Sequence, residues 1–178
     1  ITDGDSYEFE LDSEEVTPIR HLKSVRGGLL VLTDGGVWVV TGGGVNDPVT
    51  PTNVLAQPNT YVGISPVPPI TLDVDLIYIE SKGFTARLLS YNDFSRVYAG
   101  ADISIVSNHL FSSSNYITEW TFADDPFKLV WARRSDGVML ALTAVKEQNL
   151  FAWTRHTTRG TFERVLAIQE ERTDSVYV

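Results

Sequence analysis

The sequence predicts an all-β protein built from repeated antiparallel hairpins. Residues 129–143 hold two β-prone apolar runs on either side of Asp136-Gly137, a dipeptide that favours a tight hairpin turn. Residues 29–41 follow the same plan around a second Asp-Gly, and residues 76–88 form a third hairpin of the same kind. Three such hairpins in one chain favour a repeated β architecture over a mixed α/β fold.

The spacing of the hairpins predicts which β architecture is repeated. The turn glycines Gly35, Gly83 and Gly137 are 48 and 54 residues apart. A hairpin that recurs about every fifty residues is typical of β-propeller blades. We therefore expect residues 1–178 to form a single β-rich domain or a partial β-propeller with one short helix.

Two strands are expected before the first hairpin. Residues 6–12 alternate strictly, with Tyr7, Phe9 and Leu11 on one face and acids on the other, as in a half-buried strand. Residues 16–21 are ambiguous, because two acids could open a helical turn that a proline then interrupts. A strand is expected to follow and to run through Val25.

A long loop is expected at about residues 42–69, where Gly, Pro, Asn and Thr are frequent. One short strand at residues 53–57 interrupts it. A loop of this length inside a compact domain either contacts a partner or serves as a flexible linker, and the sequence leaves both open.

The one predicted helix covers residues 102–111. Its start can be capped by Asp102 or Ser104. Helical spacing places an apolar face on Ile103, Val106 and Leu110, with Phe111 at its edge.

The remaining chain is predicted to be β-structure. Strands are expected at residues 117–122, 150–155 and 162–168. Residues 174–178 resemble residues 75–79, the rising arm of the second hairpin. A fourth hairpin would then be cut mid-way, so we expect the chain to be an internal piece of a longer protein.

Composition narrows the possible functions. The formal net charge is −9, which argues against tight phosphate binding, and the chain has no cysteine for disulfides or thiolate metal sites. No window of about eighteen apolar residues is present, so no membrane span is expected. Seven acids fall within the first fifteen residues: Asp3, Asp5, Glu8, Glu10, Asp12, Glu14 and Glu15. We interpret them as a solvated strand face, because the spacing of a calcium loop is missing.

Known catalytic and ligand-binding patterns are missing from the sequence. The three histidines, His21, His109 and His156, are far apart, with no partner at metal-ligand spacing. The glycines at 42–44 are followed by no helix and no Lys-Ser/Thr, which disfavours a phosphate cradle. Asp124-Asp125 would point to opposite faces of a strand, so turn residues are expected there rather than a glycosidase pair. No catalytic, cofactor or metal residues are therefore predicted.

The tryptophans are expected in the sheets. Trp38, Trp131 and Trp153 lie within β runs and are interpreted as core or half-buried residues. Trp120 is the best candidate among them for an exposed ring that stacks on a sugar, although core packing is the favoured interpretation.

An ordered set of short stretches resembles a family of tailed-phage structural proteins, the tail nozzle or tail tubular proteins of short-tailed phages. No single motif is diagnostic, and the set runs through nearly the whole chain. The stretches are 19–22, 30–33, 36–38, 50–54, 61–63 with Pro68, 78–81 with Gly83, 87–88, 91–92, 102–104, 109–111, 129–131, 136–137, 142–143, 147–148, 152–156 and 165–168. One departure is residues 81–87, where an Arg-rich turn would be expected.

The resemblance implies a non-enzymatic subunit of a phage or prophage tail, assembled as a six-fold ring. Such a ring would extend the tail tube and let DNA pass during ejection. It would contact the adaptor or portal proteins, or the fibre proteins. The protein would be made in the bacterial host cytoplasm and located in the virion tail. An acidic wall would repel the DNA backbone.

Two other functions are weighed against this one. A carbohydrate- or receptor-binding β-propeller would use exposed aromatic, Asn or Asp residues of blade loops. A propeller glycosidase would need two facing carboxylates, and the sequence does not place such a pair.

Overall fold

The computed structural model describes residues 5–6, 8–11, 16–44, 47–95 and 97–178. Within these residues the chain forms three four-stranded antiparallel sheets followed by a two-stranded hairpin. In every sheet the spatial order of the strands is their order along the chain, so each sheet is a simple meander. The prediction of an all-β fold with repeated antiparallel sheets is confirmed.

The strands fall into four groups along the chain. The first sheet contains β1 (Ile19–Val25), β2 (Gly28–Thr33), β3 (Val37–Thr41) and β4 (Leu55–Thr60). The second contains β5 (Ile70–Leu72), β6 (Asp75–Ile79), β7 (Ala86–Asn92) and β8 (Val97–Asp102). The third contains β9 (Ile117–Ala123), β10 (Leu129–Arg134), β11 (Met139–Val145) and β12 (Leu150–His156). The hairpin pairs β13 (Leu166–Glu170) with β14 (Thr173–Tyr177).

The direction of the strands gives each sheet two distinct ends. Since neighbouring strands are antiparallel, the turn from the second to the third strand lies at one end, which we call the upper end. The turns from first to second and from third to fourth strand lie at the opposite, lower end. The fourth strand finishes at the upper end, so each linker to the next sheet starts there.

The three predicted hairpins form, but their turns differ. Gly83 (φ 85°) and Gly137 (φ 77°) adopt the positive φ that favours glycine. Gly35 does not, so the expectation that its Asp-Gly supplies the same turn is wrong. That turn is closed by the hydroxyl of Thr33, which accepts a hydrogen bond from the amide of Gly36 at 3.0 Å.

Two apolar clusters hold successive sheets together. One joins the first and second sheets through side chains of β2, β6 and β7, and includes the fully buried Tyr78. The larger one joins the second and third sheets. At its edge the ring of Phe111 packs edge-to-face against Trp153 with centroids 5.1 Å apart, and the indole of Trp153 donates to the carbonyl of Ile103 at 3.0 Å.

Several predicted boundaries need correction. The strand predicted at residues 6–12 is not formed by residues 8–11, and Tyr7 and Asp12 lie outside the described residues. The short strand expected at 53–57 is β4, which begins two residues later and includes Pro58. The strand expected from residue 162 begins only at Leu166, as β13.

The predicted helix is a 3-10 helix, Ile105–Leu110, and a second 3-10 turn covers Lys146–Gln148. Ser104 occupies the N-cap position but makes no side-chain capping bond, so neither predicted cap forms; Asp102 instead accepts hydrogen bonds from the amide and hydroxyl of Ser104, at 2.8 and 2.7 Å. Leu110 is buried as expected, but Val106 is 86% exposed. The segment is kinked at Ser107 (φ −112°, ψ 24°), and residues four apart in a 3-10 helix are already about 120° apart around the axis, so Val106 and Leu110 do not share one face.

Candidate functional site

The upper ends of the sheets are joined by a backbone contact between each linker and the turns beside it. The amide of Ile64, in the first linker, donates to the carbonyl of Thr33 in the first sheet at 2.9 Å. The carbonyl of the preceding residue, Gly63, accepts from the amide of Ser81 in the second sheet, also at 2.9 Å. Two consecutive linker residues thus connect the upper turns of two neighbouring sheets, an arrangement we call the linker clamp.

The second linker repeats the linker clamp with different residues. The amide of Ile117 donates to Gly83 at 3.0 Å, and the carbonyl of Tyr116 accepts from Ser135 at 2.8 Å. In the third linker the amide of Phe162 donates to Gly137 at 2.9 Å. The two-bond clamp after the first two sheets, and its amide half after the third, indicate that the sheets are joined as repeated units.

Side chains reinforce these junctions. The buried guanidinium of Arg134 donates to the carbonyl of Leu110 at 2.7 Å and pairs with Asp136, which lowers the pKa of that carboxyl. Between the first and second sheets, the amide side chain of Asn59 exchanges two hydrogen bonds with the backbone of Tyr98, at 3.1 and 3.0 Å. The side chain of Asn59 therefore pairs with the backbone of β8 as a neighbouring strand would, and connects β4 to β8.

A cleft of about 710 Å³ separates the lower ends of the second and third sheets. This volume falls in the range of ligand-binding sites in proteins. Its walls are mainly apolar, and its polar lining residues are Asp73, Asp75, Lys128, Thr143 and Lys146. The apolar lining consists of Leu72, Val74, Leu88, Phe122, Pro126, Phe127, Leu129, Val130, Ala144, Val145 and Phe151.

One polar group of the cleft is deeply buried. Asp75 is only 4% exposed and begins β6, in which every residue is buried. Its Oδ2 pairs with the ammonium of Lys146, whose side chain is 54% exposed. Its Oδ1 is buried and has no hydrogen-bond partner among the described residues. Because a carboxylate oxygen without a donor is unfavourable in an apolar setting, this is the least satisfied polar atom of the cleft.

The mouth of the cleft is both charged and apolar. Lys128 donates to Asp73 at 2.8 Å and lies 3.9 Å from Asp124. Beside these charges Val74 is 67% exposed and Phe127 is 71% exposed. The two apolar side chains occupy the lower turns of two neighbouring sheets and flank the same opening. The cleft, with this rim, is the candidate functional site.

The histidines are not brought together into a site. The ring of His21 contacts the carbonyl of Pro66 at 3.2 Å, while His156 contacts Thr154 at 3.0 Å and packs against Trp131. His109 lies at the end of the 3-10 helix. Across the described residues no group of three or more His, Cys, Asp or Glu side chains could hold a metal ion.

Trp120 packs in the core, as the favoured interpretation of the sequence expected, and is not an exposed ring for sugar stacking. It is 7% exposed, and its indole nitrogen donates to the carbonyl of Pro68 at 2.6 Å. Trp38 and Trp153 are also buried, and Trp131 is half-buried against His156.

Asp124-Asp125 forms a turn, as expected. The two backbone amides donate to one carboxylate oxygen of Asp174 in the C-terminal hairpin, at 2.6 and 3.2 Å. These residues fasten β14 to the lower end of the third sheet.

The remaining sequence candidates do not form a phosphate or metal site. A Cβ on Gly42 would overlap the backbone at residues 47–48, so that glycine permits a close loop crossing. Of the seven N-terminal acids, Asp5, Glu8 and Glu10 are described and exposed, and they do not lie in a strand. The other four lie outside the described residues.

Sequence reasoning missed the cleft. Asp75 was considered only as part of the rising arm of a hairpin, and Lys146 lies 71 residues further along the chain. The one available signal was an acid at the start of an otherwise apolar strand.

Comparison with known proteins assigns no family. No protein-family model and no curated protein sequence matches the chain significantly. Within the described residues, no helix is long and apolar enough to cross a membrane.

Proposed function

We propose that this chain is a structural subunit of a bacteriophage or prophage tail, part of the tail tube or nozzle, that works by assembling with other proteins. The observation that carries the proposal is the pair of exposed apolar side chains, Val74 and Phe127, at the lower ends of two clamped sheets. Large apolar groups that flank one opening are typical of surfaces that a partner covers. The ordered resemblance to tail nozzle proteins gives the proposal its biological setting.

The architecture suits this role. Repeated sheets joined by linker clamps give a scaffold whose turns and linkers can vary without changing the strands. One partner would be further copies of the chain, in a ring expected to be six-fold. The others would be the adaptor or portal proteins of the tail, or its fibre proteins. Assembly would take place in the host cytoplasm, and the finished protein would reside in the virion tail.

The negative charge of the protein is compatible with a passage for DNA. The net charge is −9, and Asp5, Glu8 and Glu10 are exposed. A wall with this sign repels phosphates, so DNA would pass without binding. The protein would act as a conduit and not as an enzyme.

The second candidate function is a carbohydrate- or receptor-binding β-propeller module. The cleft favours it, because a cavity of about 710 Å³ with a buried carboxylate has the size of a small-ligand site. Its lining is mainly apolar, however, and the aromatic ring singled out for sugar stacking, Trp120, is buried.

Sedimentation velocity over a range of concentrations tests the proposal. We expect concentration-dependent assembly that Phe127→Ser weakens, because the substitution removes apolar area from the contact surface. Phe94→Ser is the matched control, since Phe94 is also an exposed phenylalanine in a lower turn but does not line the cleft. A protein that stays monomeric at every concentration and binds glycans on an array would contradict the structural role and support the binding module.

A further inference from the structure

We propose that the cleft between the second and third sheets binds a segment of a partner protein that carries a large apolar side chain next to a lysine or arginine. This inference rests on the proposed function, because it names the chemistry by which a tail subunit would recognise its partner. The apolar side chain would enter the cleft, and the cation would reach the carboxylate of Asp75.

The shape and lining of the cleft favour the apolar side chain of the bound segment. The side chains of Leu72, Leu88, Phe122 and Phe151 line it together with the exposed Phe127. An aromatic or long aliphatic side chain placed there would lose most of its contact with water, which is the main source of affinity at protein interfaces. A sugar would leave many of its hydroxyl groups without partners against these walls.

The carboxylate of Asp75 favours the lysine or arginine of the bound segment. A carboxylate can accept about four hydrogen bonds, and only Oδ2 is engaged, by Lys146. Asp75 is held on a fully buried strand, whereas Lys146 starts a short 3-10 turn and is half-exposed. A cation that enters the cleft can therefore displace the Lys146 side chain and donate to an acceptor that is already in place.

The surrounding charge favours a cation. The charged lining residues Asp73, Asp75, Lys128 and Lys146 balance, and Asp124, which lies 3.9 Å from Lys128 outside the lining, adds one negative charge. The whole protein carries −9, so its field attracts a basic segment and repels an acidic one.

The probe for this proposal is the capped dipeptide acetyl-Phe-Lys-amide, titrated into the ¹⁵N-labelled protein and followed by amide chemical shifts. We expect saturable shifts in β6 and in the lower turns of the second and third sheets. Acetyl-Phe-Glu-amide and acetyl-Gly-Lys-amide are the matched controls for the charge and for the apolar side chain. Equal binding of the Glu peptide, or the absence of saturable shifts with the Lys peptide, would overturn the proposal.

Asp75→Asn and Lys146→Gln should change the affinity for acetyl-Phe-Lys-amide in opposite directions, and Asp73→Asn is the control. Asp75→Asn is expected to weaken binding of acetyl-Phe-Lys-amide about tenfold, because a charged hydrogen bond is lost. Asp73→Asn, at the exposed rim, should change it by less than about twofold. Lys146→Gln is expected to strengthen binding about threefold, because the competing ammonium is gone. Since Lys146 is half-exposed, this variant tests the proposal even if Asp75→Asn fails to fold.

Other results would contradict the proposal in distinguishable ways. Weaker binding by Lys146→Gln would show that the lysine itself holds the ligand. Equal effects of Asp73→Asn and Asp75→Asn would show that the buried carboxylate has no special role. Phenethylammonium binding as tightly as the dipeptide would indicate a site for free amines. None of these titrations depends on ring assembly, so failure here and failure of the structural role are separate outcomes.

Discussion

Replacing Gly63 by alanine tests the linker clamp at its tightest point. A Cβ built on Gly63 would overlap the backbone carbonyl of Asp34 and would come within 3.0 Å of the amide nitrogen of Gly35. These are backbone atoms, so no side-chain rotation can relieve the overlap. The linker or the turn of the first sheet must move.

The cost follows from the contacts that would be disturbed. Movement of the linker weakens two backbone hydrogen bonds, Ile64 to Thr33 and Ser81 to Gly63, each contributing about 1 kcal/mol. Overpacking adds about 1–3 kcal/mol, while the reduced freedom of the unfolded chain returns about 0.4–1 kcal/mol. We expect Gly63→Ala to lower the free energy of unfolding by about 3 kcal/mol, or Tm by about 6–12 °C in a protein of this size.

Gly160→Ala is the matched control, because a Cβ at Gly160 would meet no atom within 4 Å. This variant should be within about 0.5 kcal/mol of the original protein. Urea unfolding followed by tryptophan fluorescence measures both changes, and calorimetry gives the Tm values. If the two variants differ by less than about 1 kcal/mol, the reasoning about the clamp is wrong.

Three further substitutions test other parts of the structure. Tyr78→Phe should leave stability unchanged or raise it by up to about 1 kcal/mol, because the buried hydroxyl has no partner among the described residues. Burial also raises the pKa of Tyr78 to about 12, so folding should lose stability above pH 10, where the unfolded chain ionises, and Tyr78→Phe should reduce that loss in alkaline unfolding curves. Asp136 has a folded pKa below its ordinary 3.8 because of Arg134, so the stability that it contributes is present above about pH 4 and is lost on acidification. Asp136→Asn should therefore flatten the decline of stability below pH 4, and an unchanged acid limb would contradict this. Asn59→Ala should cost about 1–2 kcal/mol in urea unfolding, because two backbone groups of Tyr98 lose their partner, and a neutral result would show that the bridge is dispensable.

Much of the strand pattern is predictable from local sequence. The three hairpins were predicted because period-two apolar runs and turn glycines are local features that tertiary contacts here reinforce. The prediction of a strand at the alternating residues 6–12 was wrong for a related reason. Alternation indicates a strand only where a sheet edge is available, and residues 8–11 form no strand, while Leu11 packs against the cluster that contains Trp38.

The linker clamp was not predictable from residue types. Its carbonyl is supplied by Gly63 in the first linker and by Tyr116 in the second. The contact uses backbone groups, which every residue has, so it leaves no common side-chain signature. Close approach imposes a residue type at Gly63, where a Cβ would overlap backbone, and at Gly137, where a Cβ would lie 2.6 Å from the Cβ of Thr161.

The cleft was hidden for a different reason. Its lining comes from turns and strands of two sheets, and its buried ion pair joins residues 71 positions apart. Neither Asp75 nor Lys146 belongs to a known motif. Their pairing depends on how the second sheet packs on the third, which local periodicity does not encode.

Negative-stain electron microscopy of the purified protein tests the proposed structural role most directly. The role predicts closed rings with a central hole wide enough for duplex DNA, at concentrations where sedimentation detects assembly. Isolated particles of the size of one chain under those conditions, together with specific glycan binding, would contradict it and favour the binding module.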